Sequence, residues 1–234
     1  MPLDDPNEET VEQLAQLLGL QKVGWIFSHP PREDGFVMSN AEIIMAAEFQ
    51  LEAAQGVAET PFTTVKVTQG KDGNVSVEGF QVSQQCMAMV AEEALEIDAD
   101  PKVCKVNDTF TAIQEGKPSP TVENNFFLTV VPITTHASST FVATFPVANR
   151  DVLTDRKPSK AELKKQLAKS GTAGWTMIDL LSDFQLLVFL ATLGDLDMNA
   201  DMPTICQSVV NRDVPLSDGY KIVISGIAGL EGSY

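Results

Sequence analysis

The side chains able to do chemistry gather early in this chain. His29 closes the run Val23-Gly24-Trp25-Ile26-Phe27-Ser28 and precedes Pro30; Ser39-Asn40-Ala41-Glu42 follows ten residues on. An imidazole, a hydroxyl and a carboxylate are the raw material of a hydrolytic zinc site. A catalytic zinc takes about three protein ligands and keeps a fourth position for water. The ion then lowers the pKa of that water to about 7, which supplies hydroxide at neutral pH. Here the set is a ligand short, because Phe27, two residues before His29, carries a ring with no lone pair to give. The same residues also have plain structural uses. His29 beside Pro30-Pro31 suits a loop. Ser39-x-x-Glu42 is a capping box, whose hydroxyl and carboxylate satisfy backbone N–H groups at a helix start.

Other constellations carry less. His136 lies near Ser138 and Ser139, but no acid is placed to orient the imidazole and no G-x-S-x-G elbow occurs. Gly70-x-x-Gly73 reads as a turn, and neither a P-loop nor a dinucleotide fingerprint is present. Cys86, Cys104 and Cys206 are scattered, with no Cys-x-x-Cys pair, which fits reduced thiols in a cytosolic or nuclear compartment. The reading therefore expects no catalytic residue, no cofactor and no bound metal.

The elements that must position these residues follow from pattern. Residues 8–18 predict an amphipathic helix, with Val11, Leu14, Leu17 and Leu18 on one face and Gly19 as its stop. Gln21 to Ser28 predicts a strand, Pro30 to Gly35 a loop, and Ser39 opens a helix from Asn40 to Ala54, with Ile43, Ala46, Ala47 and Leu51 on its apolar face. Strands are expected at Phe62–Thr68 and Val75–Val82 around the Asp72-Gly73 turn, and a Ser83-capped helix to Leu95. Further strands are expected at 103–106, 109–113, 126–133 and 140–145, with a loop over 115–120. Beyond Asn149 the chain turns helical. Arg150 to Ser159 reads as a hinge, and Ser159-x-x-Glu162 caps a lysine-rich helix over 160–169. The lysine cluster over 157–169 reads as a solvated face or as a contact for an acidic partner. A long helix over 175–193 is apolar almost all round, which implies burial, and two more helices follow at 202–211 and 218–229.

At 234 residues the chain can bury about 70–75% of its unfolded surface. A net charge of −16 disfavours nucleic acid and anionic membrane surfaces and favours basic partners. The start, Met1-Pro2-Leu3-Asp4-Asp5, is acidic and lacks a signal-peptide core, and no apolar run approaches the ~20 residues of a membrane span.

The run Val23-Gly24-Trp25 with His29 and Ser39 resembles the V-G-W-x-H-S-H-P and S-x-x-D pattern of JAB/MPN metal-dependent isopeptidases. There, two histidines and the aspartate hold zinc. By that resemblance Phe27 stands where the first histidine belongs, His29 and Ser39 match, and Glu42 replaces the aspartate. The stretch from Pro30 to Ser39 is longer than the pattern has it, and the general-base glutamate lies further upstream than the 28 residues that precede His29. Phe27, His29, Ser39 and Glu42 are thus a vestigial metalloprotease motif, and the chain is expected not to be an enzyme.

The longer block Lys22 to Phe36, with Ala46-Ala47-Glu48, resembles one family in particular: the nuclear protein localization protein 4 family, the substrate-recruiting cofactor of the hexameric AAA ATPase valosin-containing protein. The likeness continues through Phe80–Cys86, Asn124–Phe127 and the tail from Gly174 to Tyr234. It implies an α+β fold, an incomplete MPN/JAB-like mixed sheet with flanking helices over 1–150 and a helical region over 151–234 packing on it. It implies a non-catalytic ubiquitin-binding cofactor, or a shortened isoform of one, in ubiquitin-dependent protein degradation, including ER-associated degradation and the proteasome pathway. The implied partners are ubiquitin, polyubiquitinated substrates, the ATPase and its ubiquitin-fusion-degradation partner. No nucleic acid or membrane insertion is implied. The implied places are the cytoplasm and nucleus, with the cytosolic face of the endoplasmic reticulum as a further one. The family's ubiquitin-like and zinc-finger docking modules are expected to be missing from this stretch, and no ubiquitin-binding residue can be picked from the sequence. The alternative expectation is an MPN-type scaffold or oligomerisation module without ubiquitin binding.

Overall fold

Strand β1 (Gly24–His29) and strand β2 (Thr63–Gln69) run parallel, and a parallel pair needs a long crossover between its strands. Helix α2 (Asn40–Ala54) is that crossover. Strand β3 (Val75–Val82) returns antiparallel to β2 through a turn at Gly73, which has φ 81°. Strand β9 (Leu128–Val131) adds to β3, giving a mixed sheet in the order β1-β2-β3-β9. These features come from a computed structural model that describes residues 6–30, 32, 36–70, 72–114, 116–146, 158–172 and 174–230. The expected hinge over 150–159 lies almost wholly outside the described residues, as do Pro31, Glu33 to Gly35 in the loop after His29 and Met1 to Asp5.

The chain divides into two compact units, one over 22–135 and one formed by 1–21 with 136–234. The first holds the mixed sheet and α2, with helix α3 (Gln84–Ala91), a three-stranded sheet β4-β5-β8 (Leu95–Ile97, Val103–Val106, Thr121–Glu123) and the hairpin β6-β7 (Ala112–Gln114, Lys117–Ser119). Its core joins Ile43, Ala46 and Ala47 of α2 to Phe80, Val82, Met87, Cys104 and Phe127. Buried amides pin it together. Asn40 donates to the carbonyls of Asp98, Asp100 and Val103, and Gln50 exchanges hydrogen bonds with the backbone of Val82 at 2.9 and 3.0 Å. Asn124 donates to Met38 and Pro101.

The second unit is helical: α1 (Glu8–Leu17), α4 (Lys160–Leu167), α5 (Met177–Leu181), α6 (Phe184–Thr192), α7 (Met202–Val210) and α8 (Asp218–Ile227). Leu186, Leu187 and Leu190 of α6 are fully buried among Leu14, Leu163, Leu181, Ile205 and Ile224. The molecule is thus mixed α+β, a mixed sheet with flanking helices and helices toward the C-terminus, as expected.

Several elements differ from the sequence reading. The helix after Ser83 stops at Ala91, because Glu93 turns to φ 56° and Leu95 pairs with Val106 as a strand. Residues 117–119 and 121–123, within and beside an expected loop, form strands β7 and β8. Asn124–Phe127 is a 3-10 turn and pairing begins only at Leu128. The expected strand over 140–145 makes one isolated bridge, and the expected long helix over 175–193 is two. Asp183 causes both outcomes. Its buried carboxylate caps α6 through the N–H groups of Gln185 and Leu186, and it also accepts from the backbone of Thr144 and Phe145. Those N–H groups are therefore not left for a sheet partner. Among the described residues no helix is long and apolar enough to cross a membrane.

Candidate functional site

Strand alternation sets what β1 presents. Trp25, Phe27 and His29 share the half-buried face, whereas Ile26 and Ser28 point outward. Trp25 stacks on Phe27 with centroids 4.7 Å apart and meets Phe49 of α2 edge-on at 5.3 Å. Phe27 therefore packs in an aromatic row between strand and helix, and the His29 ring follows it at 6.1 Å. Gly24 sets the register beneath them, since a Cβ there would stand 2.4 Å from the Thr63 carbonyl oxygen.

At His29, Nδ1 lies 2.7 Å from the carbonyl oxygen of Pro30. A carbonyl only accepts, so Nδ1 carries a proton. Nε2 is buried and has no hydrogen-bond partner among the described residues. Ser39 and Glu42 are brought together as the expected capping box: the serine hydroxyl accepts from Glu42 N–H at 3.3 Å, and Glu42 Oε2 accepts from Ser39 N–H at 2.8 Å. The other carboxylate oxygen of Glu42 is paired with Arg32. Arg32 also donates to the Val37 carbonyl at 3.4 Å and lies over the Phe36 ring at 4.5 Å.

A second cation comes from the sheet. Lys66 sits in register with Phe27 on one side and Glu78 on the other, and only 8% of its side chain is exposed. It pairs with Glu78 at 2.8 Å, reaches the same Val37 carbonyl at 3.4 Å and lies 5.4 Å from the Phe80 ring centroid. A cation held away from water persists when paired and hydrogen-bonded, and Lys66 is both. The charged groups thus satisfy one another, Arg32 with Glu42 and Lys66 with Glu78, with Val37 O between the two cations, and His29 Nε2 is left out of the set.

This donor set does not fit a catalytic zinc. Phe27 offers nothing, both oxygens of Glu42 are engaged, and among the described residues no three His, Cys, Asp or Glu side chains lie close enough to share an ion. The cysteines sit in the cores. Burial pushes the Cys104 thiol up to about 12 and the Cys206 thiol to about 11, so neither is a nucleophile at neutral pH.

The same unit holds an open apolar cavity of about 690 Å³. Met89, Phe110, Ile113, Val122 and Phe126 line it, with Gln85 and Glu92 among its polar groups. Ile113 is 71% and Phe126 63% exposed, although both are large and apolar. Sequence reading could not find this groove. Phe126 alternates with the buried Phe127, and nothing in the pair Phe126-Phe127 says which ring turns outward. The partnership of Arg32 with Glu42 was equally hidden, since it crosses ten residues of loop and helix. On its outer face the sheet also shows Ile26, Val75 and Val77, each more than half exposed.

The model of the NPL4 family matches residues 1–225. The chain is similar to a nuclear protein localization protein 4 homolog of Dictyostelium discoideum, with 33% identity over 95% of this chain and 36% of that protein. It is 32% identical to an NPL4-like protein 2 of Arabidopsis thaliana, over 96% of this chain and 53% of the relative. A nuclear protein localization protein 4 homolog of Homo sapiens matches at 28% over 94% of this chain and 42% of its own length. The chain thus spans about a third to a half of the length of these relatives.

Proposed function

The chain belongs to the NPL4 family, and from that premise we propose that residues 22–135 are a degenerate MPN domain that grips ubiquitin without cutting it. In this reading the protein is a substrate-recruiting cofactor of a valosin-containing-protein-type AAA ATPase, acting with the ATPase's ubiquitin-fusion-degradation partner on polyubiquitinated proteins. It serves ubiquitin-dependent degradation in the cytoplasm and nucleus and at the cytosolic face of the endoplasmic reticulum.

The observation that carries the reading is the replacement of metal chemistry by internal ion pairs in a unit that also holds an open groove. Arg32 supplies to Glu42 the positive charge that an ion supplies in a hydrolytic relative, and Phe27 fills a coordination vertex with hydrocarbon. A site that has lost its water-activating ion keeps its shape for an extended chain. Such a chain is held by backbone hydrogen bonds and apolar pockets, and the groove around Phe126 and Ile113 offers the pockets. The negative net charge suits a basic ubiquitin face.

Retention of lysine-48-linked ubiquitin chains on the immobilised protein tests this. Chains retained intact support it; no retention by a folded sample, beside a longer relative that does retain them, contradicts it.

A second reading, a scaffold that pairs through its sheet, draws on Ile26, Val75 and Val77 on the outer face. The apolar stretch over 175–193 does not favour it, because Leu186 to Leu190 are consumed by their own unit's core. A stable dimer by light scattering without ubiquitin affinity would favour the scaffold.

A further inference from the structure

Helix α4 holds a charge distribution that the ubiquitin reading does not use. Lys160, Lys164, Lys165 and Lys169 stand within ten residues, and all four are exposed. Of the chain's 16 basic side chains four are here, and of its 32 acidic ones only Glu162, so the segment carries +3 and the remainder −19. Glu162 is itself engaged at the helix start by the backbone N–H and hydroxyl of Ser159.

The helix cannot turn these lysines away. Leu163 and Leu167 are buried to within 1% and Gln166 to within 5%, which fixes the opposite face in the unit's core. The buried leucines also leave no apolar stripe for a bilayer. Lys160 reaches Asp195 at 3.4 Å and Lys169 donates to Gln166 at 2.6 Å. Among the described residues no carboxylate stands within ion-pair distance of Lys164 or Lys165. Among the described residues Lys22 and Lys117 also lack one, but neither has another basic residue near it in the sequence, whereas Lys164 and Lys165 adjoin each other between Lys160 and Lys169. Helix electrostatics explain only part of the set. Lys164 and Lys165 complement the negative end of the helix, but Lys160 is the first helical residue, where a cation opposes the dipole.

We propose that the lysine face of α4 docks a short acidic segment of a partner protein. The helix is eight residues long, about 12 Å, which matches a few carboxylates and no more. A nucleic acid or an anionic bilayer spreads its charge over a wider surface and meets the −19 remainder as well. A short segment escapes most of that repulsion, because charges farther than about 8 Å are screened at physiological salt.

The test uses the whole chain and a fluorescent octaglutamate peptide, read by anisotropy at low and physiological salt, with single-stranded DNA and phosphatidylserine vesicles as comparison probes. The wild-type protein binds the peptide, and Lys164→Glu with Lys165→Glu weakens it about ten-fold or more. The control pair Lys22→Glu with Lys117→Glu makes the same change in net charge and leaves binding within about two-fold. Lys164→Gln with Lys165→Gln gives an intermediate loss and covers the case of a reversal that unfolds the helix, which circular dichroism detects. No measurable binding of the peptide, equal loss in both reversed pairs, or tighter binding of DNA or vesicles than of peptide overturns the proposal.

Discussion

The two units solve the same burial problem with different materials. The helical unit has the larger core, with Leu186, Leu187 and Leu190 fully buried in it, and one carboxylate, Asp183, gathers four backbone N–H groups. The sheet unit has a smaller core and relies on polar pins: Asn40, Gln50 and Asn124 crossing between elements, and Lys66 buried in an ion pair. Aliphatic packing is tolerant and non-directional. Buried amides and charges are directional and costly when half satisfied. The sheet unit spreads its directional bonds over several side chains and the helical unit concentrates them on Asp183, and the difference predicts where each breaks.

The largest effects belong to the helical unit. Leu187→Ala should cost about 2–5 kcal/mol by chemical denaturation, as a cavity among enclosed side chains does. Asp183→Ala should cost about 3–5 kcal/mol, because several buried N–H groups lose their acceptor at once. In the sheet unit, Gln50→Ala should cost about 1–3 kcal/mol, the penalty of leaving the Val82 N–H and carbonyl unpaired. A Gln50→Ala loss as small as an ordinary surface change would remove the contrast between the units.

The buried thiols give a pH test that touches both. Cys104 and Cys206 stay protonated in the folded state up to about 12 and about 11, because burial disfavours the thiolate. The unfolded thiols ionise at 9.0. Their contribution to stability is therefore complete below that value and is lost as pH rises through the folded ones. The denaturation midpoint should hold steady to about pH 8.5 and then fall, and a disulfide reagent should find no thiol in the native protein below that point. The smallest effect on stability is expected at the groove. Phe126→Ser should shift it by no more than about 0.5 kcal/mol while weakening the hold on a ubiquitin chain.

Much of this was legible in the sequence because local rules agreed with tertiary ones. The capping boxes at Ser39 and Ser159, the strands at 75–82 and 103–106 and the helices after Met202 follow from patterns a few residues long. The sequence reading failed where one side chain answered to a distant partner. Asp183 falls inside the run expected as one apolar helix; it is a cap that also claims the backbone of residues 144 and 145. Strand β4 was taken for the end of a helix because Leu95 suits either, and only its pairing with Val106 decides. At the site, the absence of a ligand at Phe27 could be read directly. That Arg32 neutralises Glu42, and that Phe126 faces a groove, could not, since both depend on loops whose course no periodicity encodes.

The proposed function puts ubiquitin in the groove around Phe126 and denies cleavage at the Phe27 site, and one incubation measures both. The purified chain is mixed with lysine-48-linked di-ubiquitin, its zinc content is determined, and the bound and free ubiquitin are resolved by size. The prediction is retained, uncleaved di-ubiquitin with no stoichiometric zinc, and retention reduced about ten-fold by Phe126→Ser with Ile113→Ser. One zinc per chain with mono-ubiquitin accumulating would contradict it.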